Sequence, residues 1–121
     1  MSNKSIEIPL EHIIRNSTLN KNAPAIFFLH GYGTSMNDLF PLSQFFPENW
    51  AVISLQAPFY NGFGGYAWAE LDLSNLRELP KPEQKPISIE KIHDSISALS
   101  SKLNFDKNQI YILGFSQGSD L

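Results

Sequence analysis

A pentapeptide near the end of the sequence has the residue types that nucleophilic chemistry needs. Residues 114–118 read Gly-Phe-Ser-Gln-Gly, and an apolar run at 110–113 precedes them. This pattern is typical of a nucleophile elbow, in which a buried strand leads through a sharp, serine-bearing turn into a helix. The flanking glycines have no Cβ atom, so strand and helix can approach closely. We interpret Ser116 as a nucleophile held on a strained turn; the competing interpretation is a glycine-rich turn with an incidental serine.

A serine that attacks an acyl group also needs donors for the negative charge that develops on the substrate oxygen. The backbone N–H of Gln117, at the expected start of the helix, is one candidate. A second donor is expected from the loop at 30–33, His-Gly-Tyr-Gly, which directly follows another apolar run. That loop also begins like a dinucleotide-binding fingerprint, but a third glycine is missing and no acidic residue ends the next strand. We therefore favour an oxyanion hole over a phosphate loop.

The proton-transfer partners of the serine are harder to find. Of the three histidines, His30 is expected to fix its loop by hydrogen bonds, His93 to lie at a helix surface, and His12 in an N-terminal strand region. Asp120 is one helical turn beyond the serine, and Asp106 lies at the opposite end of the preceding strand. None of the five is expected within hydrogen-bond reach of the serine as its base or orienting acid. The chain by itself is therefore predicted to be inactive.

Composition bounds the class of protein. The 121 residues suffice for one modest domain, and 42% of them are hydrophobic and 17% charged. A net charge of -3 without a basic cluster argues against nucleic-acid and anionic-membrane partners. The sequence has no cysteine, no apolar run of membrane-spanning length and no histidine or carboxylate set with metal-ligand spacing. We expect a cytoplasmic protein without metal, without disulfides and without stable membrane insertion.

Short, continuous apolar runs occur at 25–29 and 51–55. Such runs are typical of strands buried on both faces of a parallel sheet, and 110–113 is expected to be a third. Ligands of such sheets bind beyond the carboxyl ends of the strands. His30, Pro58 and the serine turn all lie at the carboxyl ends of these strands, so we expect them at one edge of the sheet.

Helices and loops are expected between these strands. Apolar residues at steps of three and four predict a helix over 88–103, with a serine as its N-cap. A second helix is expected over 37–46, and one or two edge strands over 6–14, interrupted by a proline. The stretch 71–86 carries three prolines and is interpreted as a connection or lid. Alternation of strands and helices indicates an α/β fold with a mainly parallel sheet covered on both faces.

The loop 59–68 is rich in glycine and aromatic residues. Its Phe63, Tyr66 and Trp68 form an apolar wall for an acyl chain in one interpretation. In the other, the loop folds these rings onto the body of the protein. The sequence leaves the two open.

Together these motifs resemble the N-terminal part of the phospholipase/carboxylesterase family of α/β-hydrolases. That family includes acyl-protein thioesterases, lysophospholipases and small bacterial carboxylesterases. The matching stretches follow the family order and span nearly the whole chain: 29–33, 37–40, 52–58, 64–68 and 114–118.

The resemblance implies an α/β-hydrolase fold in which residues 1–121 are the N-terminal part of a single domain, truncated after the nucleophile elbow. Ser116 would be the nucleophile, and the backbone N–H groups of Tyr32 and Gln117 would form the oxyanion hole. The implied substrate site is bordered by His30, Gly31, Gly33, Phe63 and Trp68.

By the same resemblance the activity is hydrolysis of carboxylic esters or thioesters through an acyl-serine intermediate, without a cofactor. The substrate would be a small-molecule ester or acyl compound, and a homodimer is an open possibility. The catalytic Asp and His would follow the serine and are absent from this chain. An inactive hydrolase-like fragment that binds a ligand or a partner is the alternative. A dienelactone hydrolase is disfavoured, because that subfamily usually has cysteine at the nucleophile position.

Overall fold

A computed structural model describes residues 7–72 and 79–121. The elements in chain order are β1 (His12–Arg15), β2 (Ala23–Leu29), α1 (Met36–Leu39), a 3-10 helix (Phe40–Phe45), β3 (Ala51–Leu55), β4 (Phe59–Tyr60), β5 (Tyr66–Ala67), β6 (Leu71–Asp72), β7 (Leu79–Pro80), α2 (Gln84–Lys102), β8 (Phe105–Gly114) and a second 3-10 helix (Ser116–Asp120). The central sheet has the order β1-β3-β2-β8. β1 is antiparallel to β3, and the other two pairings are parallel.

The two central strands are buried on both faces, as their continuous apolar runs predict. Phe27 and Ile53 point into a cluster that includes Ile92 from α2. Phe28 and Val52 point the opposite way, into a cluster that contains residues of α1 and the segment after it. Successive side chains of a strand alternate between faces, so each run fills two cores. The α/β class with helices on both faces of a mainly parallel sheet is confirmed.

The long helix begins earlier than its sequence pattern predicts. α2 starts at Gln84, so residues 84–86 of the predicted connection are helical, and residues 73–78 of that connection lie outside the described residues. Pro86 falls in the first turn, where a missing N–H costs no helical hydrogen bond. Ser88 is therefore not the N-cap but a fully buried residue inside the helix. Of the apolar residues whose spacing predicts this helix, Ile89 is 43% exposed, whereas Ile92 and Leu99 are buried.

Two shorter elements also differ from their predictions. In place of one helix over 37–46, α1 ends at Leu39 and a 3-10 helix with Pro41 near its start follows. Proline removes an N–H donor and its ring opposes the preceding helical carbonyl, so the α-helix cannot continue through it. Phe45, an apolar residue within the predicted helix, is 74% exposed. Within the predicted strand region 6–14 the strand starts only at His12, and Ile6 lies outside the described residues.

The edge strand β1 carries a side chain that fixes the connection between the first 3-10 helix and β3. The Arg15 guanidinium donates four hydrogen bonds, with N–O distances of 2.6 to 3.2 Å. Its acceptors are the backbone carbonyl oxygens of Ser43, Phe46, Pro47 and Trp50.

β8 is longer than the predicted strand 110–113 and runs parallel to β2. Its last residue, Gly114, lies opposite Leu29, the last residue of β2. The loop after β2 and the turn after β8 therefore emerge side by side. This register brings the two chemistry-bearing motifs of the sequence together at the carboxyl edge of the sheet.

Candidate active site

The turn after β8 has the strained geometry of a nucleophile elbow. Phe115 is extended, and its N–H donates to the Leu29 carbonyl oxygen at 3.1 Å. Ser116 then has φ +56°, in the left-handed region that costs an L-residue roughly 1–2 kcal/mol. The 3-10 helix starts at Ser116, and the Gly118 N–H returns to the Phe115 carbonyl oxygen at 3.0 Å. The chain therefore reverses within a few residues, with the serine at the apex.

The positions on either side of the serine turn have no room for a Cβ atom, so they require glycine. A Cβ atom at Gly114 would lie 2.6 Å from the carbonyl oxygen of Gly118. A Cβ atom at Gly118 would lie 2.8 Å from the His30 carbonyl oxygen and closer still to that of Leu29. All these atoms belong to the backbone, so no side-chain rotation relieves the overlap. The close approach inferred from the Gly-x-Ser-x-Gly pattern is therefore present on both sides of the turn.

The loop after β2 touches the serine directly. A Cβ atom placed on Gly31 would lie 3.2 Å from Ser116 Cβ and 3.4 Å from the Phe115 carbonyl oxygen. Tyr32 follows, and its backbone N–H finds no acceptor in residues 7–72 or 79–121. Gln117 is the second residue of the 3-10 helix, and the first N–H groups of a helix have no acceptor within it. Two backbone segments whose N–H donors find no acceptor in the described part of the chain thus flank the serine.

His30 holds this loop with both ring nitrogens. Its Nε2 accepts from the Ala57 N–H at 3.0 Å, so its Nδ1 carries the proton and donates to the Gly31 carbonyl oxygen at 2.7 Å. The side chain is fully buried. Burial lowers the pKa of His30, against smaller opposing effects of the Gly31 carbonyl and of Asp38. The imidazole is therefore neutral and fully engaged, and it acts on any substrate only through the loop that it fixes.

Trp68 lies in the core and not along an open wall. Its ring is fully buried, with its centroid 5.3 Å from that of His30, and its Nε1–H donates to the His30 carbonyl oxygen at 2.7 Å. The buried Ser88 hydroxyl donates to the Trp68 carbonyl oxygen at 2.5 Å. For this ring, folding onto the body is the arrangement found. Ser88 lies four residues before Ile92, and this helical spacing was the one sign in the sequence that Ser88 faces the core. A serine side chain itself gives no hydrophobic signal.

Phe63 has the opposite environment, because its side chain is 93% exposed at the tip of the loop between β4 and β5. Gly62 and Gly64 on either side have φ of +84° and +86°. The Asn61 carboxamide oxygen accepts from the N–H groups of Phe63 and Gly65, at 2.7 and 3.1 Å. Asn61 was not among the predicted site residues, although asparagine before glycines is a turn signal. The loop thus presents one apolar ring to solvent.

The base of this loop packs under the loop after β2. A Cβ atom at Gly65 would overlap the Gly33 carbonyl oxygen, so the two backbones are in contact. The Gly33 N–H donates to the Tyr66 carbonyl oxygen at 2.8 Å. The structure therefore brings Gly31, Gly33, Tyr32, Gln117 and Ser116 to one edge, with Phe63 projecting from a loop that is anchored to it.

No proton-transfer partner accompanies the serine in the described part of the chain. Within residues 7–72 and 79–121, no histidine or carboxylate hydrogen-bonds to the Ser116 hydroxyl. His12 Nδ1 lies 3.4 Å from the Leu10 carbonyl oxygen, and His93 lies beside Asp94 on the exposed side of α2. The described residues also contain no cluster of three metal-ligating side chains. None of the described helices is long and apolar enough to cross a membrane.

An apolar groove of about 420 Å³ adjoins the elbow on the α2 side of the sheet. Its walls come from α2, from the end of β8 and from the last turn of the chain. The lining residues are Leu29, Ile89, Ile92, His93, Ile96, Ile112, Gly114, Gly118, Ser119 and Leu121. The groove is therefore continuous with the glycines of the elbow.

Comparison of the chain with known protein families gives one match. A family model described as Phospholipase/Carboxylesterase matches residues 11–121. No curated protein sequence matched the chain.

Three solved structures share the fold at low sequence identity. Esterase PE8 has a TM-score of 0.78 at 24% identity, over 91% of this chain and 54% of that one. The Bacillus cereus carboxylesterase has a TM-score of 0.73 at 19% identity, over 92% and 50% of the two chains. A carboxylesterase from Mesorhizobium loti has a TM-score of 0.76 at 14% identity, over 93% and 52%. The chain thus spans about half the length of these structures.

Proposed function

The chain belongs to the phospholipase/carboxylesterase family, and from this premise we propose that the whole protein is a serine hydrolase of carboxylic esters or thioesters. The observation that carries the proposal is the position of Ser116. It has a left-handed backbone between a parallel strand and a short helix, and Gly31 of the neighbouring loop lies against its Cβ. A strained serine suits attack on a carbonyl carbon when it lies beside two backbone segments whose N–H donors have no acceptor among the described residues.

In the proposed reaction, the Ser116 oxygen forms a bond to the substrate carbonyl carbon as its proton passes to a base. The carbonyl oxygen becomes an oxyanion, which accepts hydrogen bonds from the Tyr32 and Gln117 N–H groups. Collapse of this intermediate expels the alcohol or thiol, which takes up the proton and leaves an acyl-serine. Water then attacks the acyl-serine by the same steps, which releases the carboxylic acid and restores the serine.

The base and its orienting acid are not supplied to Ser116 by the described residues. The proposal therefore expects that the 121-residue chain alone turns over no ester, whereas the whole protein does. A short p-nitrophenyl ester measures this for both. Turnover by the 121-residue chain that disappears in Ser116→Ala would show that one of its own histidines reaches the serine after rearrangement.

A fluorophosphonate probe tests the nucleophile in the whole protein. The probe is expected to label one serine, identified by peptide mass spectrometry as Ser116, and Ser116→Ala should abolish both labelling and ester turnover. Ser101→Ala, which removes an exposed serine of α2, is the matched control and should leave both unchanged. An active whole protein that is not labelled at Ser116 contradicts the mechanism.

The lack of a base beside Ser116 in residues 7–72 and 79–121 favours one second candidate, a hydrolase-like protein that binds a ligand or partner without turning it over. This candidate predicts that the whole protein neither hydrolyses the ester nor reacts with the probe. The labelling experiment therefore separates the two functions.

A further inference from the structure

The side chain of Gln117 connects the elbow to a segment about fifty residues earlier. Its Oε1 accepts from the Trp68 N–H at 2.9 Å, and its Nε2 donates to the Ala69 carbonyl oxygen at 2.8 Å. The Gln117 amide thus accepts one hydrogen bond and donates another to this segment, as the backbone of a neighbouring β-strand would. We call residues 65–70 the strap.

The strap is fixed at its other side to the loop after β2. The Tyr66 N–H donates to the Thr34 carbonyl oxygen, and the Gly33 N–H donates to the Tyr66 carbonyl oxygen, both at 2.8 Å. The Trp68 Nε1–H adds a bond to the His30 carbonyl oxygen at 2.7 Å. The strap therefore joins the two segments that carry the proposed oxyanion donors, one on each side of the serine.

We propose that the side chain of Gln117 is a positioning residue for the oxyanion hole. Resting on the proposed function, the inference is that this amide fixes the Gln117 backbone N–H relative to the Tyr32 N–H, with the strap as the connecting piece. Ser116 is strained, so the chain around it has no intrinsic preference for this geometry. The two hydrogen bonds of the Gln117 side chain with Trp68 and Ala69 hold the turn in this geometry. Oxyanion donors act only where they already point at the developing charge, so loss of this fixation lowers kcat more than it raises KM.

The test replaces Gln117 by methionine, which has similar length but forms neither hydrogen bond. Gln84→Met is a matched control, because the Gln84 side chain makes the same kind of contacts to the strap. Its Oε1 accepts from the Glu70 N–H at 2.6 Å and its Nε2 donates to the Glu70 carboxylate at 2.9 Å. Gln84 belongs to α2 and has no bond to the elbow. Both variants of the whole protein are assayed with a p-nitrophenyl ester, and their Tm is measured.

We expect Gln117→Met to lower kcat by roughly 10- to 100-fold, below the 10²- to 10³-fold loss for removal of an oxyanion donor. KM should change less than about threefold, and Gln84→Met should retain kcat at a comparable drop in Tm. Gln117→Glu keeps the acceptor for the Trp68 N–H and loses the donor to Ala69. Because its second carboxylate oxygen faces the Ala69 carbonyl oxygen, kcat should fall at least as far as in Gln117→Met. Gln117→Leu, whose side chain also forms neither hydrogen bond, serves as the test variant if Gln117→Met does not fold.

Three outcomes would overturn the assignment. They are an unchanged kcat in the Gln117 variants, an effect confined to KM, and an equal loss of kcat in Gln84→Met. Each of these in an active wild-type protein contradicts only the role of Gln117. A wild-type protein without ester turnover and without probe labelling at Ser116 removes the proposed function, and this assignment with it.

Discussion

One close backbone contact that holds the elbow can be tested by adding one methyl group at Gly114. A Cβ atom there would lie 2.6 Å from the Gly118 carbonyl oxygen and 2.8 Å from Ser119 Cα. An ordinary van der Waals contact of a Cβ atom is 3.4 Å or longer, so the start of the 3-10 helix must move away from β8 by roughly 0.8 Å. Both atoms are backbone, and the movement therefore carries Ser116 and the Gln117 N–H with it.

A displacement of this size has two expected effects in Gly114→Ala. Overpacking of a rigid site costs about 1–3 kcal/mol, which corresponds to a Tm lower by roughly 2–12 °C for a domain of about 150–250 residues. Misplacement of reacting groups by about 1 Å costs about 10²-fold in rate, so kcat should fall by on the order of 10- to 100-fold. Thermal unfolding and p-nitrophenyl ester turnover of the whole protein measure the two effects.

Gly31→Ala provides a graded comparison on the other side of the serine. Its Cβ would meet Ser116 Cβ at 3.2 Å, which requires a shift of only a few tenths of an ångström. Stability and kcat should therefore fall less than in Gly114→Ala. The steric reasoning is refuted if Gly114→Ala keeps its Tm within 1 °C and its kcat within twofold of wild type, or if Gly31→Ala is the more damaging change.

Three further predictions concern stability. Burial lowers the pKa of His30, so below pH 6.5 the unfolded chain binds more protons than the folded one. The unfolding free energy from urea titrations should therefore fall as pH drops below that value. If His30→Gln has the same dependence of unfolding free energy on pH as wild type, this reasoning is contradicted. The unfolding free energy of Ser116→Gly should rise by about 0.5–1 kcal/mol, because relief of about 1–2 kcal/mol of left-handed strain exceeds the entropy cost of glycine. Ester turnover should be lost in this variant. A Tm lower than that of wild type would argue against strain at Ser116. Arg15→Lys should lose about 2 kcal/mol, because one ammonium group cannot reach four carbonyl oxygens, and a loss under about 0.5 kcal/mol in urea unfolding would contradict the inferred clamp.

The sheet could be predicted because its signals are local. The runs at 25–29 and 51–55 contain only residues that gain free energy from burial on either face, apart from Ser54, so any fold that buries them gives much the same strand. The elbow was equally readable, since Gly114 and Gly118 are required by contacts within or beside the motif. The edge at which the motifs meet followed from parallel order alone.

The start of α2 and the serines of its buried face were not readable, for two physical reasons. Pro86 is a breaker in most helical positions and harmless in the first turn, and the sequence does not mark which turn it occupies. Ser88 and Ser95 are fully buried on the helix, and small hydroxyl side chains give no periodic apolar signal. Trp68 was ambiguous because its burial depends on a pocket formed by His30, far away in the sequence.

Strain at Ser116 explains why the pentapeptide motif does not define the site by itself. The left-handed backbone costs roughly 1–2 kcal/mol, and it persists only where surrounding contacts exceed that cost. Those contacts are the Phe115 N–H to Leu29, the packing of Gly118 on the end of β2, and the Gln117 amide on the strap. None of the three partners lies in the motif. The geometry of the nucleophile is therefore a property of the β2–β8 pairing and of the contact between the Gln117 amide and the strap, and changes in either should alter the site without touching the serine.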